Sequence, residues 1–145
     1  MSLAHQPTVY MNYEEIFDHS YERIKTVKVD GNTFFAAFYE NYLALSPAAA
    51  KYFANVDMEK QITMMEKSFY SLFIFYATQN ANDYLEAIAK RHSEAELDIN
   101  LDLFDTWMDA LILTVKQFDP HFTNEIALSW RVILSPGMTY MKYRF

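Results

Sequence analysis

Several residue types are rare in this 145-residue chain, and each shortage excludes a class of protein. With 0 Cys, the chain has no disulfide framework, no thiolate metal site and no cysteine nucleophile. Its 2 Gly and 4 Pro are too few for the tight turns of an all-β fold or for glycine-rich phosphate loops. The 12 basic residues are outnumbered by 19 acidic ones, and the resulting net charge of −7 argues against nucleic acid or an anionic membrane as a partner.

Apolar and aromatic side chains are abundant instead. Hydrophobic residues make up 52% of the chain, and the large side chains include 12 Phe, 11 Tyr and 8 Met. A chain of this length buries about 70% of its unfolded surface, which is enough for one core. Residues 1–12 lack the basic start and apolar run of a secretory signal. We therefore expect a loose N-terminal segment over 1–12, a single domain over 13–145 and a cytoplasmic location.

Apolar residues recur at helical spacing along nearly the whole chain. The pattern predicts an all-α protein of about seven helices of unequal length, one of them a very short piece near the middle. Unequal lengths favour a layered α fold over a symmetrical four-helix bundle. The most regular stripe, with spacings of 3 and 4 residues, consists of Ile62, Met65, Phe69, Leu72 and Tyr76.

Local signals predict where these helices begin and end. A side chain that caps a helix, followed by proline, is typical of a first turn, and proline or glycine within a pattern is typical of an end. The first helix is expected to reach Val27. The expected starts are Ser46-Pro47, Asp57 and Asp119-Pro120, and the expected ends or kinks are Asp30-Gly31 and Pro136-Gly137.

His92 is the one histidine that continues an apolar helical stripe, at i+4 from Ile88 and i+7 from Leu85. A core histidine bonded to a backbone carbonyl would account for it, and so would an imidazole ligand directed into a cavity. An iron porphyrin is a flat apolar disc that needs aromatic and pliable walls and one nitrogen ligand. The Glu-x-x-His motif of di-iron bundles and the His-x-x-x-His motif of zinc sites are absent. The residues alone leave both interpretations open.

Three segments and one tryptophan, taken in order, resemble bacterial single-domain globins and the globin domains of flavohaemoglobins and globin-coupled sensors. Residues 38–53 read FYENYLALSPAAAKYF and are similar to the second and third helices of those proteins. Residues 57–65, DMEKQITMM, resemble the start of the distal helix, and residues 88–92, IAKRH, resemble the turn that carries the proximal histidine. Trp130 is similar to the tryptophan of the last helix. The resemblance covers most of the chain from about Tyr13 and implies a globin-like fold.

The resemblance implies a haem pocket whose proximal side is built by His92. This histidine would ligate the iron of haem b (iron protoporphyrin IX), and Phe53 would stack on the porphyrin edge. Arg91 and Lys90, beside the histidine, would reach the propionates. A solvated pair of cations is the alternative for these two residues.

The same resemblance assigns the distal side to Tyr39, Gln61 and Met65. The Tyr39 hydroxyl would lie over the iron with Gln61 as the distal amide, and Met65 would lie one turn further on, against the bound gas. A bound O₂ carries partial negative charge, so a phenol and an amide donor in a dry pocket would hold it. Without the resemblance, Tyr39 reads as a buried tyrosine bonded to a carbonyl and Gln61 as a surface glutamine.

The function implied is reversible binding of a diatomic gas, O₂ or NO, by a carrier, scavenger or sensor. The first alternative is an enzyme, an NO dioxygenase supplied with electrons by a separate reductase. The second is a haem-free globin-fold module that binds another protein. The sequence leaves open whether the protein is an enzyme, and it leaves the oligomeric state open, with a homodimer as one option.

Overall fold

The computed structural model describes residues 12–80, 82–94 and 101–143, and in these ranges seven α-helices of 6 to 21 residues form the fold. The prediction of an all-α protein with about seven unequal helices is confirmed. Residues 1–11 of the predicted N-terminal segment, and the side chains at 84, 91–94, 101–102 and 142–143, lie outside the described part. The helices are α1 Tyr13–Ile24, α2 Phe34–Leu45, α3 Pro47–Tyr52, α4 Met58–Thr78, α5 Asp83–Glu94, α6 Leu101–Phe118 and α7 Asn124–Tyr143.

Side-chain caps explain where three of the helices begin. The Asn12 Oδ1 atom accepts a hydrogen bond from the Glu15 backbone N–H at 3.2 Å and starts α1. Ser46 Oγ accepts from the Ala49 N–H at 3.0 Å, and Pro47 occupies the first turn of α3. Asp57 Oδ1 accepts from the first N–H groups of α4, including that of Glu59 at 3.1 Å. The predicted starts at Ser46 and Asp57 are therefore confirmed.

The first helix is shorter than its apolar pattern predicts. It ends at Ile24, which is fully buried, and the expected extension to Val27 is wrong because Val27 is exposed beyond the helix. The chain then reverses at Asp30 and Gly31, whose φ angles of 52° and 83° lie in the left-handed region. A short bridge between Val29 and Asn32 closes this turn. The Asp-Gly pair thus makes a tight turn in the loop and does not cap the helix.

The predicted cap at Asp119-Pro120 is also wrong. Helix α7 begins at Asn124, and Thr123 Oγ1 accepts a hydrogen bond from the Ile126 N–H at 3.2 Å. The Asp119 carboxylate is buried and accepts hydrogen bonds from Ser20 Oγ at 2.7 Å and from the Arg23 guanidinium at 2.9 and 3.0 Å. Burying a carboxylate without partners costs more free energy than leaving a helix end without a cap. Contacts with distant residues therefore determine the position of Asp119.

Pro136 and Gly137 do not end the last helix. Helix α7 continues through both residues to Tyr143. Proline removes one backbone hydrogen bond, and glycine costs about 0.5–1 kcal/mol relative to alanine inside a helix. The reason for the glycine is its close approach to Leu72 of α4, whose Cα lies 3.3 Å from where a Cβ on residue 137 would stand. Packing between α4 and α7 therefore outweighs the local cost.

An aromatic cluster around Trp130 forms the centre of the core. Helix α7 packs on α1 and α4, and α2 packs on α6. The indole is fully buried, and its ring centroid lies 4.8 Å from that of Phe17 and 5.6 Å from that of Phe34. Its Nε1 atom donates a hydrogen bond to Ser20 Oγ at 3.0 Å. None of the helices in the described ranges has the length and apolar character needed to cross a bilayer.

Candidate ligand-binding cavity

A cavity of about 410 Å³ opens between α2, α3, α4, α6 and α7, with one wall residue from α5. Its lining combines phenol and indole rings with aliphatic and thioether side chains, and no charged side chain lines it among the residues that the structure describes. The lining comprises Tyr39, Tyr42, Ala48, Ala49, Tyr52, Phe53, Gln61, Met64, Met65, Ser68, Leu72, Ile88, Leu103, Phe104, Trp107, Met138 and Met141. Such a surface fits an apolar ligand with flat faces.

Tyr39 and Gln61 supply the principal polar contact in this cavity. The Gln61 Nε2 group, near the start of α4, donates a hydrogen bond of 3.0 Å to the Tyr39 hydroxyl oxygen in α2. Burial raises the pKa of Tyr39 to about 12, although the hydrogen bond from Gln61 acts in the opposite direction. The phenol is therefore protonated at neutral pH. Within the described residues its own O–H has no acceptor, so that proton is available to a ligand.

Tyr42 lines the same cavity one helical turn after Tyr39 but makes a different contact. Its hydroxyl donates a hydrogen bond of 3.2 Å to the backbone carbonyl oxygen of Leu103 in α6. Burial, with a smaller effect from Tyr39, raises the pKa of Tyr42 to about 12. Tyr39 and Tyr42 are both neutral at physiological pH, but of these two only Tyr39 has a hydroxyl proton left to donate inside the cavity.

Phe53 and Met65 also line this cavity. Phe53 follows the last residue of α3, and its ring meets Tyr39 edge to face at a centroid distance of 5.7 Å. Met65 is buried in α4, one turn after Gln61, so both lie on the same helix face. The structure thus brings four of the predicted site residues to one cavity, Tyr39, Phe53, Gln61 and Met65.

The two remaining candidates, Arg91 and His92, belong to α5, but their side chains lie outside the described residues. Ile88 is buried and lines the cavity one turn before position 92 on the same helix. The iron-ligand role of His92 and the propionate role of Arg91 stay predictions. Two other histidines, His19 and His121, are exposed on the surface, as the sequence indicates.

Sequence reasoning missed several residues of the lining. Met138 and Met141 follow Pro136 in α7, in a stretch treated only as a continuation beyond a predicted break. Their spacing of three residues does place them on one helix face, and this was the signal available. Trp107 of α6 lines the cavity as well, and its ring centroid lies 5.4 Å from that of Phe38. Nothing in the local pattern distinguishes such residues from ordinary core.

Comparison with solved structures matches the chain to a protein from Pseudomonas aeruginosa PAO1 described as structurally highly homologous to a human haemoglobin. The match has 30% sequence identity and a TM-score of 0.79, and it covers 90% of this chain and 96% of the other. The chain belongs to the family of bacterial globin-like proteins. No protein-family model and no curated protein sequence matches this globin. Its haemoglobin-like fold suggests a haem cofactor.

Proposed function

We propose that this globin holds haem b in the cavity and reversibly binds O₂ or NO, as a carrier, scavenger or sensor in the cytoplasm. The cavity of about 410 Å³ falls in the range of about 300–1,000 Å³ that is usual for small-molecule pockets. The uncharged lining of aromatic and thioether side chains suits the faces of a porphyrin. Haem would supply an iron centre with a coordination position for the gas.

In this proposal His92 is the iron ligand. Ile88, one turn earlier in α5, lines the cavity, which supports a ligand from the same helix face. Because the described lining carries no charge, the propionates would extend to the mouth of the cavity. Lys90 is exposed in α5, and Arg91 follows it in the sequence, so both are candidates to bind the carboxylates there.

The observation that carries the proposal is the hydrogen bond from Gln61 to Tyr39 inside a cavity whose described lining carries no charge. Because Gln61 donates to the phenol oxygen, it orients the ring and leaves the Tyr39 proton for a ligand. An electron-rich diatomic ligand can accept that proton, and a hydrogen bond involving a charged group contributes about 1.5–3 kcal/mol. Tyr39 is thus the principal donor, and Gln61 positions it.

Haem binding is tested by expressing the chain with added haemin and recording its visible spectrum. His92→Ala should lower haem retention, because imidazole is the expected iron ligand. His19→Ala and His121→Ala are the matched controls, since both side chains are exposed and should leave the spectrum unchanged. Loss of haem in His121→Ala with full retention in His92→Ala would contradict the assignment.

Gas binding is tested by stopped-flow measurement of O₂ release from the ferrous protein. Tyr39→Phe should speed release about tenfold or more, because a hydrogen bond involving a charged group contributes about 1.5–3 kcal/mol. Gln61→Leu should have a smaller effect of the same sign. Tyr42→Phe is the control, because the Tyr42 hydroxyl already donates to the Leu103 carbonyl. Equal rates in Tyr39→Phe and Tyr42→Phe would refute this role for Tyr39.

A further inference from the structure

Methionine is concentrated around the cavity. Of the 8 methionines in the sequence, 6 lie in the described residues, and 4 of these line the cavity. The lining methionines are Met64 and Met65 of α4 and Met138 and Met141 of α7. Met65 and Met138 are each 6% exposed, while Met108 of α6 is 8% exposed and does not line the cavity. The three side chains are therefore about equally buried, but only Met65 and Met138 of these three border the cavity.

We propose that the cavity is a site of methionine sulfoxidation by hydrogen peroxide or a small organic hydroperoxide, with Met65 and Met138 as its buried targets. A thioether sulfur attacks the terminal peroxide oxygen, a sulfur–oxygen bond forms and the oxygen–oxygen bond breaks. The methionine is oxidised to the sulfoxide, and the peroxide is reduced. The proton of the transferred oxygen passes to the leaving oxygen, which departs as water or as an alcohol. The reaction involves only this chain and the peroxide, so it does not depend on haem.

The polar pair in the cavity favours Met65 as the faster target. Gln61 lies one turn before Met65 on the same face of α4, and its amide holds the Tyr39 hydroxyl. A peroxide is a small neutral molecule with two acceptor oxygens, and the Tyr39 proton can be donated to it. Since the pKa of Tyr39 is raised to about 12, this donor stays protonated over the physiological range and can stabilise the leaving oxygen.

Oxidation at these positions would alter the cavity itself. A sulfoxide is polar and chiral, so it places a strong acceptor in a wall that otherwise offers thioether and aromatic surface. Met138 follows Gly137, where α7 approaches Leu72 of α4 closely, and it is buried in the same core. We therefore expect weaker binding of flat apolar ligands after oxidation, and recovery when methionine sulfoxide reductase restores the thioether.

The proposal is tested on the full chain expressed without added haemin and treated with hydrogen peroxide under native conditions. Peptide mass spectrometry then gives the oxidation rate of each methionine. Met65 and Met138 should be oxidised about fivefold or more faster than Met108, because thioether oxidation follows access. Met65→Leu preserves side-chain volume and should remove its signal without changing the Met108 rate. Equal rates for Met65, Met138 and Met108 would overturn the proposal.

A second arm adds iron-free protoporphyrin IX before the peroxide, so that the cavity is filled without introducing iron chemistry. Bound porphyrin should slow oxidation of Met65 and Met138 and leave Met108 unchanged. If the porphyrin does not bind while the two cavity methionines still react faster, the haem proposal fails and the sulfoxidation proposal stands. If the porphyrin binds but the rates do not differ in its absence, the sulfoxidation proposal fails and the haem proposal stands.

Discussion

Replacing Gly137 with alanine probes the contact between α4 and α7 that shapes one wall of the cavity. At a solvent-exposed position inside a helix, this change would stabilise the folded state by about 0.5–1 kcal/mol, because glycine is a poor helix former. Here the added Cβ would overlap Leu72 Cδ2 and would lie 3.3 Å from Leu72 Cα and 3.4 Å from Leu72 Cβ. Leu72 is 1% exposed, so its side chain has little space in which to move.

The free-energy cost of this steric overlap should exceed the gain from the higher helix propensity of alanine. Forcing an extra methyl group into a packed core costs about 1–3 kcal/mol, so the net loss in the free energy of unfolding should be up to about 2.5 kcal/mol. For a chain of this size, that loss corresponds to a fall in Tm of roughly 3 °C per kcal/mol. Because Leu72 also lines the cavity, displacing it should weaken porphyrin binding too.

A double-mutant cycle in urea separates this steric effect from a general backbone effect. Leu72→Ala alone should cost about 2–5 kcal/mol, but less when Gly137→Ala is present, because the new methyl group occupies part of the space. Gly31→Ala is the control: its φ of +83° strains alanine, yet nothing lies within 4 Å of the new Cβ. Its effect should add to that of Leu72→Ala without coupling. Stabilisation by Gly137→Ala, or zero coupling with Leu72→Ala, would refute the reasoning.

Two further predictions concern stability. Asp119→Asn should cost about 2–4 kcal/mol at pH 7, because the buried Asp119 carboxylate accepts hydrogen bonds from Arg23 and Ser20. Burial alone would raise the pKa of Asp119, but these hydrogen bonds hold it below its usual range, so urea titrations should show the advantage of the native carboxylate shrinking below about pH 4. An advantage undiminished at the lowest pH would contradict this. Ser46→Ala removes the cap of α3 and should cost about 1 kcal/mol by thermal denaturation, whereas an unchanged Tm would mean that the cap is dispensable.

Local signals in the sequence predict helices well when nothing distant competes with them. The stripe that includes Met65 and Leu72 predicts the long helix α4. The cap at Ser46 predicts the start of α3, and the cap at Asp57 predicts the start of α4, because each cap satisfies backbone N–H groups within three residues. Asp119 carries the same local signature and was misassigned. Its position depends on Ser20, 99 residues earlier in the chain, and no local pattern contains that contact.

The site was predictable only as far as the resemblance reached. Tyr39 and Gln61 are 22 residues apart on different helices, so neither periodicity nor composition could pair them, whereas the similarity to globins did. Met138 and Met141 were missed because the proline before them suggested a helix end. Packing of the adjacent glycine against α4 keeps α7 intact and carries both thioethers into the cavity wall.

The hydrogen bond between Ser20 and Trp130 has a consequence for synthesis of the chain. The two residues are 110 positions apart, so at about 5–20 residues per second the ribosome takes roughly 5–20 s to deliver the indole after the serine. During that interval the aromatic face of α1, including Phe17, has no α7 to pack against. The nascent chain therefore exposes an apolar aromatic surface until α7 has been synthesised, and we expect its yield in cells to depend on chaperones that shield such surfaces.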